Sequence, residues 1–165
     1  MRFLIDNMFA AIPAVLALAL LALFAAPLHV AGLSLTPNVA WEMSLLVAAF
    51  YPAAWPRGFA FALGLLQDVI FGTPLGAQAL LTLLLVELVH RQARRQSYLL
   101  FRVRWLEAAG VLIIWHGLLW ALLHFVSPDA PSLRVLLQAG LVSAAWYPLF
   151  YFPVIKLCAA LPANK

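Results

Sequence analysis

Charged residues in this chain gather into a few short stretches, and long apolar runs fill the space between them. With 66% hydrophobic and 10% charged residues, it departs from soluble domains, which carry about 45–50% and about 25%. The composition points to an integral membrane protein of all-α class. No polar stretch approaches the ~50 residues of a soluble domain, so one membrane domain over 1–165 is expected. Arg2 ahead of an apolar run suggests a signal peptide. That run exceeds the usual ~7–15 residues and Asp6 weakens its basic start, so retention as a span is the expectation.

Six spans are expected, over about 8–31, 39–56, 58–71, 75–90, 105–126 and 133–158. Pro13 sits in the first turns of the first span, where a missing N–H costs little. Trp41 and Trp55 frame the second and suit the two interfaces. Pro148 and Pro153 predict a kink or early fraying in the last. The third and fourth spans, at roughly 15 residues and ~1.5 Å each, reach only ~22 Å. That is short of the ~30 Å hydrocarbon thickness, so the bilayer thins there or the pair forms a partly re-entrant hairpin. Placing both termini in the cytoplasm puts Arg2, Arg57, the arginines between 91 and 104, Lys156 and Lys165 on one side. Only Arg134 then lies opposite, in agreement with the positive-inside rule.

Within the third span Ala60, Gly64, Asp68 and Gly72 recur at i, i+4, a ridge of small residues around one acid. A tight Gly72-Thr-Pro74-Leu-Gly76 turn follows. Small residues let helices approach closely, and an acid in an apolar setting needs a partner or a cavity. Asp68 is therefore expected to tie the hairpin to its neighbours. Glu42, Asp68, Gln78, His124, Arg134 and Gln138 all fall at the outer end. Either Asp68 or Glu42 pairs there with Arg134, or Glu42, His124 and Arg134 face headgroups.

His116 lies in the middle of the fifth span. With no second His at i+3 or i+4 and no Cys or acid completing a metal pattern, an interhelical hydrogen bond is expected and no metal. Ser44 and Ser143 lack an adjacent base, so catalysis and cofactors are not expected. Glu87, His90 and Glu107 are expected to pair with loop arginines. The single Cys158 forms no internal disulfide.

If residues 91–104 are one helix, Arg91, Arg94, Arg95 and Arg102 share an arc of about 100°. Such a face would hold anionic lipid at up to ~1 kcal/mol per basic residue, or dock an acidic partner surface. Nucleic acid is not expected as a partner, since binding it needs a solvated basic face and the chain has only one short basic stretch.

The series Pro56-Arg-Gly58, Gly64-Leu-Leu-Gln-Asp68 and Phe71-Gly72-Thr-Pro74-Leu-Gly76 resembles the signature of the MreD rod-shape-determining family. Length, hydropathy, the apolar first span and the basic loop after the fourth span agree along the chain. The resemblance implies a non-enzymatic subunit of the bacterial inner membrane, serving the elongation machinery that builds lateral peptidoglycan. It implies MreC, MreB, RodA and its penicillin-binding transpeptidase as partners, with Gly64, Asp68, Gly72, Pro74 and Gly76 as packing positions. MreD-like proteins are similar in fold to the six-helix substrate-binding components of energy-coupling-factor transporters. Capture of a vitamin-like molecule is thus the alternative, with Trp41, Glu42, Asp68, Gln78, His124 and Gln138 as pocket residues.

Overall fold

The computed structural model describes residues 2–26, 29–30, 33–34, 36–96, 100–126 and 131–160. The described chain is helical apart from one short ladder. In order it forms α1 (Arg2–Leu23), β1 (His29–Val30), β2 (Leu33–Ser34), α2 (Val39–Phe50), a 3-10 turn (Pro52–Ala54), α3 (Arg57–Phe71), α4 (Ala77–Gln96), α5 (Phe101–Val126) and α6 (Leu133–Ala160). β1 and β2 pair antiparallel, with Val30 opposite Leu33.

The boundaries follow local chemistry. α1 stops at Leu23, four residues short of Pro27, instead of running on to residue 31. α2 stops at Phe50 because Tyr51 precedes Pro52 and is held at φ −141°, ψ 67°, outside the helical region. The span expected over 39–56 is therefore a 12-residue helix, ~18 Å long, followed by a turn. α3 matches its expected limits, while α4 continues six residues beyond 90, to Gln96. α6 runs through Pro148 and Pro153 to Ala160 with no early end.

α2 is the centre of the bundle, in contact with each of the other five helices. Every residue from Val39 to Ala48 is buried, which explains why its sequence is apolar all round and lacks a polar face. Around it the core takes Leu21 from α1, Leu63 from α3, Leu85 and Val86 from α4, Leu112 from α5, and Tyr147 and Val154 from α6. Trp41 and Trp55 are not interface residues, for both are wholly inside. The Trp41 indole donates to Thr82 Oγ1 at 3.0 Å and that of Trp55 to Ser44 Oγ at 3.1 Å. A buried indole N–H needs such a partner.

Among the described residues two helices are long and apolar enough to cross a membrane, α5 and the Leu133–Leu157 part of α6. They pack along each other, and Gly140 permits the approach, since a Cβ there would lie 3.2 Å from Ile113 Cα.

Candidate functional site

α3 ends where glycine allows it. Gly72 takes the left-handed conformation (φ 65°), and its N–H donates to the Asp68 carbonyl; the Thr73 N–H donates to the same oxygen at 3.0 Å. The Asp68 side chain meanwhile turns to the helix that follows. Its Oδ1 accepts from the Thr73 hydroxyl at 2.6 Å and the Gln78 N–H at 2.9 Å. Its Oδ2 accepts from the Gly76 N–H at 2.8 Å and the Ala79 N–H at 3.4 Å. One aspartate thus closes α3 with its carbonyl and caps α4 with its carboxylate. The first amides of a helix have no partner within it and attract negative charge. Gly76 supplies the second positive φ of the turn, 99°.

The pairing expected between Asp68 or Glu42 and Arg134 does not form. Asp68 is buried and spends its acceptors on backbone and Thr73, while Arg134 is exposed at the start of α6. An acid with several amide donors needs no cation. Three of the four residues of the expected ridge lie inside, and the fourth, Gly72, is exposed. Ala60, Gly64 and Asp68 are buried, and Gly64 lies against the α4 backbone so closely that an added Cβ would collide with Ala79. Gly72 and the intervening Pro74 form the outside of the corner.

A polar network continues inward from the corner. Gln78 Nε2 donates to Thr73 Oγ1 at 3.3 Å, and Gln78 Oε1 accepts from Asn38 Nδ2 at 3.4 Å. Asn38 Oδ1 accepts from Gln67 Nε2 at 3.0 Å and from the Trp41 N–H at 3.2 Å, the cap of α2. The Asn38 N–H donates to Ser143 Oγ of α6 at 2.9 Å. Thr82 closes the inner side, accepting from Trp41 and donating to the Gln78 carbonyl at 2.7 Å. Hydrogen bonds through Asn38 therefore join the hairpin to α2 and α6.

Of the outer residues expected from sequence, Asp68 and Gln78 belong to this network. Glu42 is wholly buried one turn into α2. Neither of its carboxylate oxygens meets a donor in hydrogen-bond geometry, although the Ser143 hydroxyl is its polar neighbour. His124 is exposed and stacks on Trp120 with ring centres 5.3 Å apart, and Gln138 is half-buried. Sequence reasoning missed Asn38, Gln67, Thr73, Thr82 and Ser143. The signal for Asn38 was present, since an Asn after Pro37 and before an apolar run is an N-cap pattern.

His116 bonds within its own helix and not between helices. Its Nδ1 donates to the Leu112 carbonyl at 2.8 Å, and its ring meets Trp41 edge-on at 4.8 Å. No cluster of three potential metal ligands exists among the described residues. A cavity of about 210 Å³ lies beside the corner, lined by Asn38, Thr73, Gln78, His116 and the apolar Leu119 and Leu123.

At the opposite end Glu87 accepts from Arg91 at 2.9 Å, the pairing that the sequence suggested, and also from Arg57 at 2.7 Å. Glu107 makes no ion pair among the described residues, and His90 Nε2 is buried without a hydrogen bond. The basic face is not one helix. Arg91, Arg94 and Arg95 lie on α4, which ends at Gln96, and Arg102 begins a second helix, α5. Arg91 and Arg102 are exposed, and the side chains of Arg94 and Arg95 lie outside the described residues. Arg104, grouped by sequence with the loop arginines, is instead buried in α5.

No family model, no curated protein and no solved structure matches this chain.

Proposed function

We propose that this protein is a multi-pass scaffold subunit of the bacterial inner membrane, MreD-like, that serves the cell-elongation complex and performs no chemistry of its own. All six helices lie in the bilayer, with both termini and the Arg57–Arg91 end cytoplasmic and the Gly72–Gly76 turn facing outward. The short α2 and α3 are accommodated because α2 is enclosed by the other helices and touches little lipid.

The observation that carries this reading is the braced hairpin. The Asp68 cap and the Gly64–Ala79 contact fix α3 and α4 as one unit, and the outer surface of α4 presents Leu80, Leu84 and Leu88, 44–48% exposed. At i, i+4 and i+8 these form an apolar stripe inclined to the helix axis, the shape that a partner's transmembrane helix packs against. The partner proposed for it is the membrane anchor of MreC, with MreB, RodA and its transpeptidase assembling around that pair.

A photo-crosslinking residue in place of Leu84 tests the assignment. Crosslinking to MreC in cells is expected, together with loss of the crosslink and of rod shape in Gly64→Leu. Normal shape with no crosslink at Leu80, Leu84 or Leu88 would overturn it. The transporter alternative rests on the 210 Å³ cavity beside Asn38 and Gln78, which is below the ~300–1,000 Å³ of most small-molecule sites. A saturable thermal shift with one member of a vitamin panel would favour it.

A further inference from the structure

The second cavity belongs to the other end of the bundle. It encloses about 310 Å³ between α2, α4, α5 and α6, and its polar lining is Gln92, Arg104, Glu107 and Tyr147. Arg104 is 5% exposed, and neither its Nε nor its Nη1 has a hydrogen-bond partner. Its guanidinium lies 4.3 Å from the centre of the Phe50 ring, a contact that holds the cation in place and leaves the Nε and Nη1 donors without a partner. A buried arginine with idle donors is costly for a fold to keep unless an anion completes it.

The cavity also has a direction. Arg104 is in the first turn of α5, and Leu106, Gly110 and Ile114 line the wall that leads away from it. From Arg104 to Ile114 the helix rises ~15 Å. Midway, a Cβ built on Gly110 would meet nothing within 4 Å, so the groove is open there. Charge is at one end and aliphatic wall at the other, which is the layout of a lipid. Glu107 follows Arg104 at i+3, with ~5–6 Å between such Cβ atoms. It lines the same cavity at its exposed side with no cation on it among the described residues.

We infer that this cavity seats the headgroup end of one phospholipid, a headgroup that carries an ammonium next to its phosphate, with the phosphate on Arg104, the ammonium on Glu107 and the chains leaving through the open side. The acyl chain lies along Leu106, Gly110 and Ile114. The site is distinct from the exposed basic residues Arg91 and Arg102. It rests on the membrane placement proposed above and is independent of any partner protein.

The test is native mass spectrometry of the purified full chain from nanodiscs holding equal phosphatidylethanolamine and phosphatidylglycerol. Wild type is expected to retain one phosphatidylethanolamine in at least tenfold preference. Arg104→Gln abolishes retention of either lipid, and Glu107→Gln removes the preference while retaining a lipid. Gly110→Leu, which fills the groove and leaves the packed faces untouched, also abolishes retention and covers the case in which Arg104→Gln does not fold. Arg102→Gln retains lipid as wild type does. Equal retention of the two lipids by wild type would overturn the assignment, as would retention unchanged in both Arg104→Gln and Gly110→Leu. So would saturation of the site by inorganic phosphate alone. Normal shape with no MreC crosslink at Leu80, Leu84 or Leu88, and with lipid retention intact, would refute the scaffold reading and leave this one standing.

Discussion

Gly64 of α3 rests on the backbone of Ala79 in α4, so that even a methyl group on Gly64 would overlap Ala79 and stand 3.0 Å from the Gln78 carbonyl. The neighbours that would have to yield are main chain in a helix, which cannot rotate aside. Gly64→Ala is expected to cost about 1–3 kcal/mol, and Gly64→Leu more, because it must part the helices. Thermal unfolding in detergent measures both, and an unchanged midpoint for Gly64→Leu would show that the contact is looser than described.

Asp68 supports the same corner by charge. Asp68→Asn keeps the shape but turns one oxygen into a donor that faces other donors. Loss of one hydrogen bond to a charged acceptor is worth about 1.5–3 kcal/mol, and Asp68→Ala, which removes the whole cap, is expected to cost more. Amide hydrogen exchange gives the sharper readout, with Gly76, Gln78 and Ala79 losing protection before the rest of α4.

Glu42 is the reverse case, a buried acid whose oxygens have no donor in bonding geometry. Glu42→Met fills a similar volume without polar atoms. It is expected to raise stability by about 1–3 kcal/mol, the usual cost of an unsatisfied buried group. A fall in stability would mean that Ser143 or another donor does engage the carboxyl.

Ser143 accepts the Asn38 N–H across 105 residues of chain. Ser143→Ala strands that amide and is expected to cost about 1–3 kcal/mol, while Ser143→Thr, which keeps the hydroxyl, costs less. Equal losses in the two variants would point to packing and not to the hydrogen bond.

What was legible in the sequence was local. Gly72, Pro74 and Gly76 are backbone instructions, so the limits of α3 and the corner could be read directly. The spacing of Ala60, Gly64 and Asp68 fixed which face of α3 is inside. What failed was non-local. Trp41 and Trp55 were assigned to interfaces because tryptophan favours them, yet α2 is surrounded by helices from both halves of the chain, which no pattern within α2 reveals. Pro52 is the sequence signal for the early end of that helix, and the apolar run on either side of it hides the signal. Arg104 was placed with the loop arginines by proximity in sequence, although α5 begins at Phe101 and carries it into the bundle. The partners of Asp68 were misjudged for a simpler reason: a search for opposite charge overlooks backbone amides, which are present everywhere and written nowhere.

Because Asp68 bonds to both helices of the corner, tilting α3 away from α4 would break the cap of α4. A pull on the leucine stripe of α4 is transmitted through that carboxylate to α3, and through Asn38 to α2 and α6. The bundle would then respond to tension as a stiff lever and not as a set of independent rods, passing a tug at one surface to the far side with little lost in bending.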